Sequence, residues 1–228
     1  MNKVAVLIPA YNEADRIADT IKAARGIEGI DEIVVIDDGS TDGTSDQAKA
    51  AGADRVVALP SNKGKGKALE AGIAATDADI ILMLDADLAA SAKAAEALLG
   101  PVTSGRADMT IAVLPSVKSS GGFGFAVGLA RWGIHKFTGE TMSAPLSGQR
   151  ALKKEIVERM GGFDYGFGVE TGLTIDAFKM GYKIEEVSVE ISHRTTGRTL
   201  KGFMHRGEQF RDIARALIAR FLGIRKCK

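Results

Sequence analysis

The sequence predicts an α/β fold: a mostly parallel central sheet flanked by helices. Two observations carry that expectation. Short apolar runs alternate with helix-like stretches through the first half of the chain, the pattern of strands joined by right-handed helical crossovers. The runs are apolar at every position instead of every second one, so each strand is buried on both faces.

In chain order, "VAVLI" at 4–8 is the first strand, and a helix-like stretch covers 13–27. "IVVI" at 33–36 is the second strand, followed by helical pattern over 42–51. "VVAL" at 56–59 is the third, then a helix over 64–76, and "IILML" at 80–84 is the fourth. "MTIAVL" at 109–114 reads as a fifth. The second half has a different texture. "KSSGGFGFAVG" and "APLSGQ" read as loops, 161–168 as a flexible glycine-rich connection, and 168–180 as a helix. A strand over 183–191 and a long helix over 203–222 complete the expectation. With no internal repeat, the chain reads as one domain, 1–228, with a nucleotide-binding half (1–114) and an acceptor half (115–228).

Composition narrows the class. The 228 residues suffice for a substantial core, and the formal net charge of +1 gives no reason to expect nucleic acid as a partner. Cys227 is the sole cysteine and cannot form an intrachain disulfide, which predicts a reducing cytoplasm. No apolar run approaches the roughly 20 residues of a membrane span, and no signal peptide is expected.

In open parallel sheets, ligands bind where strands end at their carboxyl termini. Four unusual clusters fall there: "PAYNE" (9–13), "DDGSTDGT" (37–44), "SNKGKGKA" (61–68) and "DAD" (85–87). Asp42 reads as a helix cap and Gly39 and Gly43 as turn residues. A cap needs one carboxylate, so Asp37 and Asp38 ask for another role. Lys63, Lys65 and Lys67 alternate with glycines that admit a close ligand, which predicts one functional lysine and two solvated ones.

Asp85 and Asp87 close the fourth strand. Two like charges about 4 Å apart repel by roughly 4 kcal/mol at an effective dielectric near 20, against a typical stability of about 5–15 kcal/mol. A divalent cation removes that penalty, and hard oxygen ligands suit Mg²⁺ or Mn²⁺ bridging a diphosphate. A P-loop is excluded because Ser61 and Ala68 break its pattern, and a dinucleotide fold because "PAYNE" replaces the glycine fingerprint. A nucleotide-sugar transferase remains.

"VLIPAYNE", "VVIDDGSTDGT", "GKGKAL" and "LDADL" together resemble the nucleotide-binding half of family 2-type glycosyltransferases with the GT-A fold. "PLSGQRAL", "GFGVETGLTIDAFKMGY" and "ISHR" are similar to segments of glucosyl-3-phosphoglycerate synthases. A looser likeness to polyprenyl-phosphate sugar transferases covers mainly the first half. The resemblance implies that Pro9, Tyr11, Glu13 and Asp38 hold the uridine of a nucleotide-sugar donor. It further implies that Lys65 contacts the diphosphate, Asp85 lies near the ribose, and Asp87 and His193 ligate the metal. Glu170 would bind sugar hydroxyls near the anomeric carbon, and Leu146 and Ser147 would line the reaction centre. One departure stands out. Gly124 and Ala126, flanked by Phe123 and Phe125, stand where the synthases carry an Arg and a Thr that grip phosphoglycerate, so the bidentate hold on that acceptor is missing.

The resulting expectation is a metal-dependent sugar transferase acting with retention of configuration. Its alternatives are an inverting enzyme, with Glu170 or Asp164 as base, acting on a polyprenyl phosphate, and a non-catalytic nucleotide-sugar-binding protein. The acceptor is a small phosphorylated molecule or a lipid phosphate. Peripheral membrane contact is suggested by Phe123, Phe125, Trp132, Phe137 and the tail 209–228. That tail sets Phe210, Ile213, Leu217 and Phe221 on one helical face beside Arg211, Arg215, Arg225 and Lys226. The competing expectation is a helix packed on its own domain or on a second subunit of a homodimer.

Overall fold

The computed structural model describes residues 2–114, 124–164, 166, 168–191 and 200–224, the side chains of 200–206 aside. Seven strands form one sheet in the order β3-β2-β1-β4-β6-β5-β7. They are β1 (Val4–Ala10), β2 (Glu32–Asp37), β3 (Arg55–Ala58), β4 (Ile80–Met83), β5 (Met109–Val113), β6 (Arg150–Lys153) and β7 (Ile184–Ser188). β1, β2, β3 and β4 run parallel, as the sequence predicts. β6 runs antiparallel to both β4 and β5. Its four residues, "RALK", carry two cations and one strong strand former at most, so no periodicity announces it.

The apolar runs of β1, β2 and β4 are continuous because the two sheet faces serve separate cores; β3 lies at the sheet edge with Arg55 and Ala58 exposed, so the expected burial on both faces does not extend to it. Ala5, Leu7, Val34, Ile36, Ile81 and Met83 pack on one face; Val4, Val6, Ile8, Ile33, Val35, Ile80 and Leu82 pack on the other. The first face is covered by α3 (Lys65–Ala74), α5 (Gly124–Thr138), α6 (Lys154–Met160), α7 (Gly168–Lys179) and α8 (Leu200–Phe221). The second is covered by α1 (Ile17–Arg25), α2 (Thr44–Ala50), a 3-10 helical segment Ala89–Leu98 and α4 (Leu99–Thr103).

Several predicted boundaries move. The first helix begins at Ile17, because Glu13–Arg16 form a turn whose amides are held by the loop after β2. The stretch expected to be a loop through 128 is helical from Gly124: Ala126, Ala130 and Ile134 supply a buried stripe at helical spacing that outweighs the glycines. The glycine-rich connection is anchored over 161–164, where Phe163 is buried and Asp164 accepts from Arg220 at 2.8 Å. The long C-terminal helix packs on its own domain. Of the four residues expected on one face, Ile213 and Leu217 are buried in the core shared with α5 and α7, whereas Phe210 and Phe221, at the margin of that face, are 47% and 53% exposed.

Candidate active site

The register of the sheet sets the site. Ala10 pairs with Asp37, so β1 and β2 end level, while β4 stops at Met83 opposite Leu7; all three run parallel, so their following loops leave the same edge of the sheet. The loop after β1 turns through Asn12 in the left-handed region (φ 56°). Its side chain accepts from the Thr41 amide at 2.9 Å, and its own amide donates to Ser40 Oγ at 2.9 Å. Asp42 accepts from the Thr44 amide and the Ala14 amide, both at 3.1 Å, which ties this loop down; the N-cap position of α2 falls on Gly43 (φ 87°) and carries no side-chain cap, so Asp42 is a turn residue and not the expected cap. Pro9 and Glu13 are half-buried and Tyr11 is 47% exposed at the rim.

Asp37 and Asp38 divide their labour. Asp37 accepts from the Ser40 amide at 2.8 Å and from Ser45 Oγ. Burial pushes its carboxyl up, but these hydrogen bonds prevail and hold it below the usual aspartate value. It locks its own turn. Asp38 is buried and accepts from the Lys63 amide at 2.7 Å and the Gly64 amide at 2.8 Å, joining the β2 loop to the start of α3. Gly39 makes that junction feasible, since a Cβ there would meet Ser61 backbone at 2.6 Å.

Of the three lysines, Lys63 and Lys67 are exposed, and Lys67 pairs with Glu70. Lys65 turns inward, where its ammonium donates to Asp85 Oδ1 at 2.8 Å and to Glu170 Oε1 at 2.9 Å. Burial pushes the ammonium down, but the two carboxylates prevail and raise it above the ordinary lysine value. Glu170 is buried in the first turn of α7. Three predicted site residues from separate elements therefore converge.

The loop ahead of β6 closes over this trio. Gln149 Nε2 donates to Asp85 Oδ2 at 2.5 Å, and Gly148 lies so close that a Cβ would meet Lys65 Nζ at 2.7 Å and Asp85 Oδ2 at 2.9 Å. Arg150, fully buried, donates to the Ser147 carbonyl at 2.8 Å, to Thr174 Oγ1 at 2.9 Å and to the Pro145 carbonyl at 3.3 Å. It thereby fixes the segment carrying half-buried Leu146 and Ser147 to α7. Burial pushes the Arg150 guanidinium down to about 10, against the pull of Glu170 and Glu186. Gln149 and Arg150 lie within "PLSGQRAL", but sequence reading gives neither of them a role.

The repulsion expected between Asp85 and Asp87 is offset only in part, because Lys65 pairs with Asp85 while sharing its single charge with Glu170. Asp87 is half-buried on a turn held by α1: Arg16 donates to the Asp87 carbonyl at 3.1 Å and Thr20 Oγ1 to the Ala86 carbonyl at 2.8 Å. His193 lies outside the described residues. Among the described residues no three His, Cys, Asp or Glu side chains converge as a metal cage. The donor set fits a hydrated Mg²⁺ or Mn²⁺ that takes further oxygens from a diphosphate, and does not fit an all-protein cage.

Comparison with known proteins agrees with this geometry. The family model described as Glycosyl transferase family 2 matches residues 5–162. Glycosyltransferase AglJ of Haloferax volcanii is 36% identical over 203 residues, covering 85% of this chain and 64% of the relative. A glucosyl-3-phosphoglycerate synthase of Mycobacterium tuberculosis is 33% identical over 198 residues, covering 77% of this chain and 60% of the relative. The chain thus spans about three fifths of the length of the curated relatives it matches. The M. tuberculosis synthase crystallised with Mn²⁺, uridine diphosphate and glucosyl-3-phosphoglycerate superposes with a TM-score of 0.78 at 30% identity, over 96% of this chain and 80% of that one. Its complex with Mg²⁺ and uridine diphosphate gives 0.80 at 31%, over 96% of this chain and 79% of that one.

Proposed function

This chain belongs to glycosyl transferase family 2, and from that membership we propose that it moves a sugar from a UDP-sugar to a hydroxyl or phosphate acceptor, with retention of configuration. The observation that carries the reading is the Lys65 ammonium set between Asp85 and Glu170 where the strands end.

A diphosphate entering beside Lys65 exchanges one carboxylate partner for a phosphate, so binding the donor frees Glu170 or Asp85 for a sugar or ribose hydroxyl. The first amides of α3 add positive potential at the same edge. Pro9, Tyr11, Glu13 and Asp38 frame the base and ribose. Leu146 and Ser147, pinned by Arg150, stand over the sugar. Asp87, with His193, would hold Mg²⁺ or Mn²⁺, which when bound offsets charge on the departing diphosphate. Relatives crystallised with either ion and uridine diphosphate support the choice of cation.

In the retaining reaction the acceptor oxygen attacks the anomeric carbon on the face from which the diphosphate departs. The leaving phosphate oxygen takes the acceptor proton, so no protein base is required. Gly124 and Ala126, at the start of α5, supply no guanidinium, which supports an acceptor other than phosphoglycerate: another small phosphorylated molecule or a lipid phosphate.

The test is a thermal-shift screen of nucleotide sugars with Mn²⁺, followed by acceptor screening and NMR of the product anomer. Stabilisation by UDP-sugars and a retained anomer are expected. Stabilisation by no nucleotide sugar would overturn the donor assignment, and an inverted anomer would overturn retention.

A further inference from the structure

Packing α8 on its own domain buries one stripe of the helix and leaves a second one outside. Ile213, Ala216 and Leu217 are buried. Phe210, Ile218, Phe221 and Leu222 are 47–68% exposed. On the neighbouring helix, Phe125 and Trp132, seven residues apart and hence on one face, are 85% and 51% exposed. The two stripes are continuous: Trp132 stacks on Phe221 with ring centroids 6.1 Å apart, and Phe137 meets Phe221 at 4.6 Å. Exposed aromatic and aliphatic side chains contiguous over two helices are uncommon on a surface that faces only water.

The charge around this patch selects its occupant. α5 contains no acidic residue. Lys136 is exposed at its end, and Lys179 stands 5.7 Å over the Phe137 ring. On α8, Arg211 and Arg215 are exposed beside the apolar stripe. Arg211 also touches buried Asp212 at 3.2 Å, and Glu208 is the one exposed acid among the described side chains of the two helices. The patch is therefore basic on a chain whose formal net charge is only +1. Two copies pairing through it would set one basic rim against another, which opposes self-association. An anionic lipid surface matches both features, with aromatic side chains entering the headgroup boundary and cations meeting lipid phosphates.

We propose that the α5–α8 face docks this protein on an anionic membrane surface as a peripheral contact. No helix among the described residues is long and apolar enough to cross a membrane. The proposal needs no turnover and stands or falls separately from the transferase reading.

Trp132 is the only tryptophan of the chain, so the patch contains its own reporter. The full chain is titrated with vesicles of phosphatidylcholine alone and of phosphatidylcholine with phosphatidylglycerol, following Trp132 emission, quenching by brominated acyl chains, and co-sedimentation. A blue shift, quenching and sedimentation with the anionic vesicles are expected, weakened by salt. Replacing Ile218 and Leu222 together with Ser should weaken vesicle binding about tenfold, with the melting temperature kept because both side chains are exposed. Arg211→Ala with Arg215→Ala should remove the preference for anionic lipid. Absence of quenching in wild type with either vesicle overturns the proposal. So does a lipid-free, concentration-dependent dimer with Trp132 blue-shifted, which would assign the face to a second copy.

Discussion

Lys65 Nζ stands 2.9 Å from Glu170 Oε1 across 105 residues of sequence, and the same ammonium reaches Asp85. One cation thus keeps two carboxylates together at the point where a diphosphate would arrive. Lys65→Met should lower kcat/KM for the donor about 100-fold or more, and adding Glu170→Gln should cost less than the sum of the single losses, because the two act as one unit. A double variant whose losses simply add would separate them. The raised ammonium value also fixes a pH expectation. Its contribution to stability is complete below the ordinary lysine value of 10.5 and is lost only as pH rises through the higher folded value. The stability difference between wild type and Lys65→Met should therefore stay flat from about pH 6 to 9 in denaturant titrations.

Two glycines should fail in opposite ways. A Cβ on Gly148 meets the far ends of two side chains, Lys65 Nζ and Asp85 Oδ2, which can move aside. A Cβ on Gly39 meets the Ser61 backbone at 2.6 Å, with φ at +77°, and nothing there can yield cheaply. Gly148→Ala should keep its fold yet lose about tenfold or more in kcat, since displacement of reacting groups by even 1 Å is costly. Gly39→Ala should lose about 2 kcal/mol or more of stability. Paired measurements of melting temperature and turnover check both, and a Gly148→Ala enzyme of unchanged activity would remove the loop from the site.

Acid should expose the role of Asp37. Hydrogen bonds from Ser40 and Ser45 hold its carboxyl below the usual 3.8, so its contribution is present above that value and lost as pH falls through the lowered one. Asp37→Asn should destabilise most at neutral pH, and its melting curve should converge with that of wild type as acid takes the pH below the lowered folded value. Curves that stay parallel across the range would mean that the charge contributes nothing.

What the sequence disclosed follows from how each signal is written. Continuous apolar runs disclosed β1, β2 and β4 because both faces of those strands are buried, and β3 although it lies half-exposed at the sheet edge; the turn-rich clusters after them disclosed the edge that carries Asp38, Lys65 and Asp85. Arg150 stayed hidden because a buried cation satisfied by the carbonyls of Pro145 and Ser147 leaves no periodic trace. The start of α5 stayed hidden because its glycines suggested a loop, while its helical state depends on Ala126 and Ala130 meeting α7 and α8 in space. In the sequence Asp37 asks only for a role other than capping, and its geometry identifies a turn lock. The outward stripe of α8 differs from the inward one by a single step of helical phase, which a linear pattern does not resolve.

Asp87 permits the sharpest test of cation use. Its turn is held from outside its own side chain, by Arg16 on the Asp87 carbonyl and Thr20 on the Ala86 carbonyl. Removing the carboxylate should therefore leave the backbone in place, and Asp87→Ala should melt within about 2 °C of wild type, as expected for a partly exposed substitution. Lys65 pairs with Asp85 in either protein, so a metal response that disappears follows the change at Asp87. In calorimetry, wild type should bind UDP more tightly with Mn²⁺ than with a chelator, and the variant should show little difference between the two. Turnover should fall about 100-fold or more in the variant, with KM for the donor rising. A variant that keeps both the manganese response and turnover would exclude Asp87 as the ligand. If wild type itself binds UDP equally with manganese and with chelator, cation use by this site is excluded.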